Sequence, residues 1–305
     1  MGRVAFVFSG QGAQHPGMGR DLFDNAEAAR KVFEAADAVR PGTSRTCFEG
    51  TDAELQETGN TQPCMFAMEM AAAAVLTDAG VKADMAAGFS LGELSALTYA
   101  GAVSLEDGLR LVSSRGALMG ADSKAHPTSM AAVLKLTEEQ VASLCAGFHN
   151  VYPVNFNCPG QITVSGDREE MAAFTKTVKE AGGRAIPLKV EGAFHTPYMK
   201  NASDAFASEL DKYEFRTPSI PVYSNCTGDV YGGDVRGTLA MQMCHPVRWE
   251  TIVRRMIEAG AQLFVELGPS RTLCSFINRI DPSARAVCVA EMKDLENVLK
   301  EVQGC

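Results

Sequence analysis

Ser90 stands between Gly88 and Gly92 in MAAGFSLGELSAL (85–97), at the spacing G-x-S-x-G. A serine attacks carbonyl carbon when its hydroxyl is exposed and a base takes its proton. The short apolar run before Gly88 reads as a buried strand, and Leu91, Leu94 and Leu97 have helical spacing. A strand turning sharply into a helix through G-x-S-x-G lifts the serine to the apex, the nucleophile elbow. There the helix aims free N–H groups and its positive end at any oxyanion, and the N–H of Leu91 is the expected donor. The same serine could serve only as a helix N-cap.

A nucleophilic serine needs a base, and the chain offers His15, His126, His149, His195 and His245. His195 is favoured in one respect. In GAFHTPYM, Thr196 and Pro197 read as the N-cap and first residue of a helix. His195 would then sit on a strand-to-helix loop of the same edge as Ser90, where a helix N-terminus favours neutral imidazole. Arg115 lies in GLRLVSSRGALMG with Leu111, Val112, Leu118 and Met119 three or four positions away. An arginine on an apolar face requires an anion, either a structural Asp or Glu or the carboxylate of a substrate. The loop GQGAQ (10–14) follows an apolar run. It is either a plain turn or a close-approach loop whose backbone N–H gives a second oxyanion donor. No G-K-[ST] follows it, so it is not a phosphate-binding P-loop.

These groups need a scaffold, and 305 residues suffice for one large domain or two modest ones. The chain is 46% hydrophobic and 21% charged, with no apolar run of membrane-spanning length. No signal peptide is recognisable at the N-terminus, where VAFVF reads as a first core strand. The net charge of −9 argues against nucleic-acid binding as a main role. Nine scattered cysteines with no C-x-x-C pair argue for free thiols in a reducing cytoplasm and against a zinc site.

Strand-like and helical stretches alternate along the chain: VAFVF, a helix from about 21 to 38, a helix punctuated by Pro63 and Gly80, the elbow, and a helix from about 104 to 119. This order predicts α/β layers on a mainly parallel sheet. From about 126 to 192 the order becomes β-α-β-β-α-β, with a tight CPG turn between VYPVNFN and QITVSG, a split βαβ or ferredoxin-like lobe. Residues 193–305 return to the large domain: a helix from about 197 to 210, a strand PVYSN, a helix around 247–259, a strand QLFVELG, and a terminal helix and strand.

Taken together, FVFSGQGAQ (6–14), TQP (61–63), GFSLGELSAL (88–97), SSRGALM (113–119), VNFNCPGQITVSG (154–166), GAFHTPYM (192–199), PVYSN (221–225), HPVRW (245–249) and VELGPS (265–270) resemble the malonyl-CoA:acyl carrier protein transacylases over essentially the whole chain. The resemblance implies an α/β-hydrolase-like large domain (1–125 and 193–305) and an inserted ferredoxin-like lobe (126–192). It implies a cytoplasmic acyltransferase of bacterial type II fatty-acid synthesis. Such an enzyme moves malonyl from coenzyme A to the phosphopantetheine thiol of an acyl carrier protein through a malonyl-serine. Ser90 would be the nucleophile, His195 its base, and Gln11 and Leu91 the oxyanion donors. Arg115 would hold the malonyl carboxylate, and the backbone carbonyl of Gln242 would orient His195. Phe89 and Phe194 would line the substrate pocket, Phe194 leaving little room for a methylmalonyl branch. Phe89 stands where the family often has histidine, and His245 where it commonly has asparagine. No cofactor or metal is expected, coenzyme A thioester being a substrate, and a monomer is expected.

An acidic carrier would need a local basic surface on this acidic chain. Lys176, Lys179, Arg184 and Lys189 supply one in sequence, or else a solvated helix face. Competing readings are a serine thioesterase or hydrolase of acyl-CoA, a malonyl acyltransferase of a polyketide pathway, and a non-catalytic carrier-binding subunit.

Overall fold

The computed structural model describes residues 2–188, 190 and 192–304. Five strands form one parallel sheet: β1 (Arg3–Phe8), β2 (Met85–Gly88), β7 (Val222–Tyr223), β8 (Ala261–Leu267) and β9 (Arg285–Val289), in the order β7-β2-β1-β8-β9. Successive side chains of a strand face opposite ways. Val4, Phe6 and Phe8 of β1 therefore enter the larger core, while Ala5 and Val7 face a second core built with Trp249, Phe276 and Ile277. Both faces are covered by helices, as a buried parallel sheet requires.

The small lobe is a separate sheet of β3 (Thr128–Leu134), β4 (Val151–Cys158), β5 (Gln161–Asp167) and β6 (Arg184–Pro187), ordered β4-β5-β3-β6 with antiparallel pairs. The helices Glu138–Cys145 and Arg168–Glu180 cover one face, with Ala131, Val133, Val164 and Phe174 in a core of their own. The reading of β-α-β-β-α-β thus matches the observed element order. Thr137 and Gln140 form a capping box at the first of these helices. The lobe is tied to the large domain through β4, where Val247 N–H donates to Val154 O at 2.8 Å and Phe156 N–H to Val247 O at 2.9 Å. Arg279 adds bonds to Gln161 Oε1 at 2.6 Å and Pro159 O at 2.9 Å.

Several boundaries differ from those read along the chain. The helix read from about 21 to 38 is two helices, Arg20–Asn25 and Glu27–Val39, because Ala26 is extended. Pro63 lies inside the helix Thr58–Asp78 rather than at its start. The helix after Ser104 continues to Ala125, its first turn capped by the Ser104 side chain. PVYSN contributes only Val222–Tyr223 to the sheet. Short helices at Thr43–Glu49, Asp52–Gln56 and Val235–Met241 add to the elements read from spacing. Among the described residues no helix is long and apolar enough to cross a membrane.

Candidate active site

β2 ends at Gly88, and the helix Gly92–Tyr99 begins four residues on, so the chain reverses in very little space. The two glycines permit that reversal. A Cβ on Gly88 would lie 1.9 Å from the backbone of Gly92, and one on Gly92 would lie 2.5 Å from the carbonyl oxygens of Phe8 and Ser9. Ser90 at the apex has φ 54, a left-handed conformation costly for a residue with a side chain. Its backbone N–H is held by Asn225 Oδ1 at 2.7 Å, and Asn225 Nδ2 grips Gly88 O at 2.6 Å. Asn225, fully buried at the end of β7, thus holds the elbow from both sides.

The Ser90 hydroxyl is 2.8 Å from His195 Nε2. His195 Nδ1 faces two acceptors, the backbone oxygens of Gln242 at 2.9 Å and His245 at 3.1 Å. Two carbonyl oxygens can only accept, so Nδ1 carries the proton and Nε2 is left as the basic nitrogen facing Ser90. Burial, then the charge of Arg115, pulls the imidazole down to about 4, against the two carbonyl bonds. His195 is therefore neutral at neutral pH, the form in which it can accept a proton. This neutrality comes from burial and a nearby cation rather than from a helix end. Nor is the residue on a strand-to-helix loop of the large sheet. It lies on the segment returning from the small lobe, and Thr196 caps a single 3-10 turn (Pro197–Met199) before the helix Lys200–Leu210.

Arg115 is 1% exposed, on the helix Leu105–Ala125. Its guanidinium donates to Gln62 Oε1 at 2.9 Å, Gln242 Oε1 at 2.6 Å and Ser90 Oγ at 3.2 Å. All three acceptors are neutral, and Nε has no partner. Among the described residues no carboxylate lies within ion-pair distance of this guanidinium, so the alternative of a structural Asp or Glu partner is not what the fold provides. Burial lowers Arg115 to about 10, opposed by Glu93, and it remains a cation at neutral pH.

Glu93, Gln62, Asn225 and Tyr231 escape the spacing analysis. Glu93 was nonetheless detectable as the one charged residue on the apolar helix Gly92–Tyr99, because a buried carboxyl must be partnered. It is fully buried and accepts from Asn225 N at 3.1 Å, Gln242 Nε2 at 2.6 Å and the Tyr231 hydroxyl. Burial raises its carboxyl to about 7, against these bonds and the charge of Arg115.

The loop after β1 runs beside the elbow, and a Cβ on Gly10 would lie 2.7 Å from the Phe89 ring. Among the described residues the backbone N–H groups of Gln11 and Leu91 donate to no other group. A cavity of about 250 Å³ opens between the domains, walled by Gln11 and Phe89 on one side and by Ala132, Asn155, Asn157 and Thr163 on the other. Ser90 and His195 are not in its wall, whereas Phe89, the residue before the nucleophile, is. Asn155 Oδ1 and Asn157 Oδ1, both buried, have no hydrogen-bond partner. Phe89 packs edge-on against Trp249 at 5.6 Å between ring centroids. Phe194 is 6% exposed in the larger core.

Lys176, Lys179 and Arg184 are exposed, and Lys189 lies outside the described residues. The fold does not bring the two lysines to the cavity. Their helix covers the face of the lobe sheet presented by Ala131 and Val133, whereas Ala132 and Thr163, which alternate with them, face the cavity. Among the described residues no group of three or more His, Cys, Asp or Glu is placed to hold a metal.

The family model described as the acyl transferase domain matches residues 5–298. The malonyl CoA-acyl carrier protein transacylase of Bacillus subtilis (strain 168) is 34% identical over 311 residues, 99% of this chain and 98% of that protein. The solved malonyl CoA-acyl carrier protein transacylase of Clostridium perfringens has a TM-score of 0.95 at 34% identity, covering 99% of this chain and 98% of its own. A type II polyketide acyl-carrier protein has been solved in complex with its malonyl-transacylase. That structure has a TM-score of 0.95 at 33% identity, covering 98% of this chain and 99% of the matched one.

Proposed function

The chain belongs to the acyl transferase family, among the malonyl CoA-acyl carrier protein transacylases, and from this premise we propose that Ser90 carries malonyl from coenzyme A to an acyl carrier protein. One observation carries the assignment: a single hydroxyl, Ser90 Oγ, is met by the basic nitrogen of His195 at 2.8 Å and by a buried guanidinium at 3.2 Å. A general base and a cation converging on one nucleophile suit an acyl group that ends in a carboxylate.

His195 Nε2 takes the Ser90 proton as Oγ attacks the thioester carbon. The oxyanion forms against the free N–H groups of Gln11 and Leu91. The tetrahedral intermediate expels the coenzyme A thiolate, which takes the proton from His195, leaving malonyl-serine. The carrier's phosphopantetheine thiol then attacks the ester carbon, giving its proton to His195, which returns it to Oγ as serine leaves. This is ping-pong covalent catalysis. The malonyl carboxylate lies one methylene from the reacting carbonyl, and the Arg115 guanidinium at Ser90 is the cation that would meet it through charge-assisted hydrogen bonding. The cavity beside Gln11 and Phe89 is of a size to take the pantetheine arm of either thioester.

The test is intact-protein mass after brief mixing with malonyl-CoA, with Ser90→Ala as control, followed by holo acyl carrier protein. The expected result is a malonyl adduct that needs Ser90 and leaves with the carrier. An adduct lost to water at the same rate without carrier would instead make the chain a hydrolase.

A further inference from the structure

Gln242 joins three parts of the site with one amide. Its Nε2 donates to Ser90 O at 2.7 Å and Glu93 Oε2 at 2.6 Å, and its Oε1 accepts from Arg115 at 2.6 Å. An amide in a pocket can sit either way round, and its neighbours decide. Turned over, it would set NH2 against the guanidinium, donor to donor, and its oxygen against two oxygens. Ser90 O alone would be a weak guide, because it already accepts from Glu93 N at 3.2 Å. Glu93, when ionised, is the strong guide: a buried carboxylate oxygen accepts and cannot donate. Its other oxygen is committed to Asn225 N and the Tyr231 hydroxyl, which fix the carboxyl plane.

We propose that Glu93 is a positioning residue for selection of a carboxylated acyl group. It holds the Gln242 amide in the one orientation that turns Oε1 toward Arg115, and so holds the guanidinium at Ser90. This rests on the transacylase reading above. Glu93 itself touches neither substrate nor the reacting atoms. Ser90 and His195 keep their 2.8 Å contact without it, since the carbonyls orienting His195 belong to the backbone of Gln242 and His245.

Glu93→Gln tests the point sharply. The atom facing Asn225 N–H and Tyr231 O–H must stay an oxygen, so the atom facing Gln242 becomes NH2. The Gln242 amide must then turn its oxygen to that new NH2 group and present its own NH2 to Arg115. Gln242→Met breaks the same chain from the other side while keeping the backbone carbonyl.

Two acyl donors separate the outcomes on the intact enzyme: malonyl-CoA, and p-nitrophenyl acetate, which has no carboxylate for Arg115. In each single variant, acylation of Ser90 by malonyl-CoA is expected to fall about ten-fold or more, mainly through KM, the loss typical of a hydrogen bond to a charged group. The p-nitrophenyl acetate burst of Glu93→Gln should change by less than about three-fold, that of Gln242→Met should fall less than its acylation by malonyl-CoA, and the double variant should be no worse than the worse single one. Equal losses on both donors, or no loss, would overturn the proposal. Should Glu93→Gln not fold, Gln242→Met decides by the same comparison. A wild-type chain that takes up no malonyl overturns the transacylase reading as well, whereas malonyl uptake by wild type with equal losses in the variants overturns only the role of Glu93.

Discussion

Ser90 and His195 both hold left-handed backbone, φ 54 and φ 62, and their side chains meet at 2.8 Å. Each conformation is costly for a residue with a side chain, and each is held by surrounding bonds: Asn225 at Ser90, and Met243 O accepting from His195 N at 3.0 Å. The nucleophile and base are therefore placed by backbone strain imposed from elsewhere in the fold.

The acid limb of Ser90 acylation should have its midpoint near the His195 value of about 4, well below the ordinary 6.5. A base must be neutral, so activity is expected to be flat through neutral pH and to fall only as pH approaches that value. In Arg115→Gln the midpoint should move upward, because a cation that disfavours imidazolium has gone, while burial keeps it below 6.5. The check is the rate of p-nitrophenyl acetate burst against pH. An unmoved midpoint would mean that Arg115 does not bear on the imidazole.

Arg115→Ala should lose malonyl selection without losing the nucleophile. Removing the cation costs acylation by malonyl-CoA about ten- to hundred-fold. Reaction with p-nitrophenyl acetate persists. Competition between malonyl-CoA and acetyl-CoA, read as adduct masses, reports the ratio directly, and a preserved preference for malonyl would remove Arg115 from the carboxylate subsite.

Stability should carry the signature of Glu93. Its carboxyl is near 7 folded against 4.5 ordinarily, so between those values the native state holds more protons than the unfolded one. Stability from this group therefore falls as pH rises through that window, by about 3 kcal/mol in all, and is level above it. His195 works in the opposite sense between about 4 and 6.5, where the unfolded state holds more protons and stability rises with pH. Urea unfolding of wild type and Glu93→Gln at several pH values isolates the first effect. The difference between the two curves should change with pH up to about 7 and then level off. A constant difference would contradict it.

Gly92→Ala should cost about 3 kcal/mol or more, because its Cβ must displace the carbonyl oxygens of Phe8 and Ser9, now 2.5 Å from that position. Denaturant unfolding measures it. Ser90 acylation should fall with it, since the shift moves the Leu91 N–H. A variant as stable as wild type would show that the elbow has more room than the backbone contacts indicate.

Short-range physics made much of this molecule legible before any coordinates. G-x-S-x-G announces a turn too tight for a Cβ on either side of the serine. The β-α-β-β-α-β order needs only period and turn residues, and Thr137 with Gln140 marks a helix start through bonds made within one turn. Arg115 could be singled out because a cation on an apolar helix face demands a partner wherever the face packs.

What tertiary structure alone decided is which groups meet. The chain carries five histidines, and although a helix start after His195 and the family resemblance favour it, no local rule brings it to Ser90. Its placement comes from the return of the chain out of the small lobe onto two backbone carbonyls more than forty residues away. Likewise Lys176 and Lys179 look like part of a basic face in sequence, yet sheet alternation puts their helix across the lobe from the cavity. Glu93, Gln242, Arg115 and Asn225 form one network from four distant segments. Hydrogen-bond partners chosen over such separations are set by packing of the whole core, which local spacing does not encode.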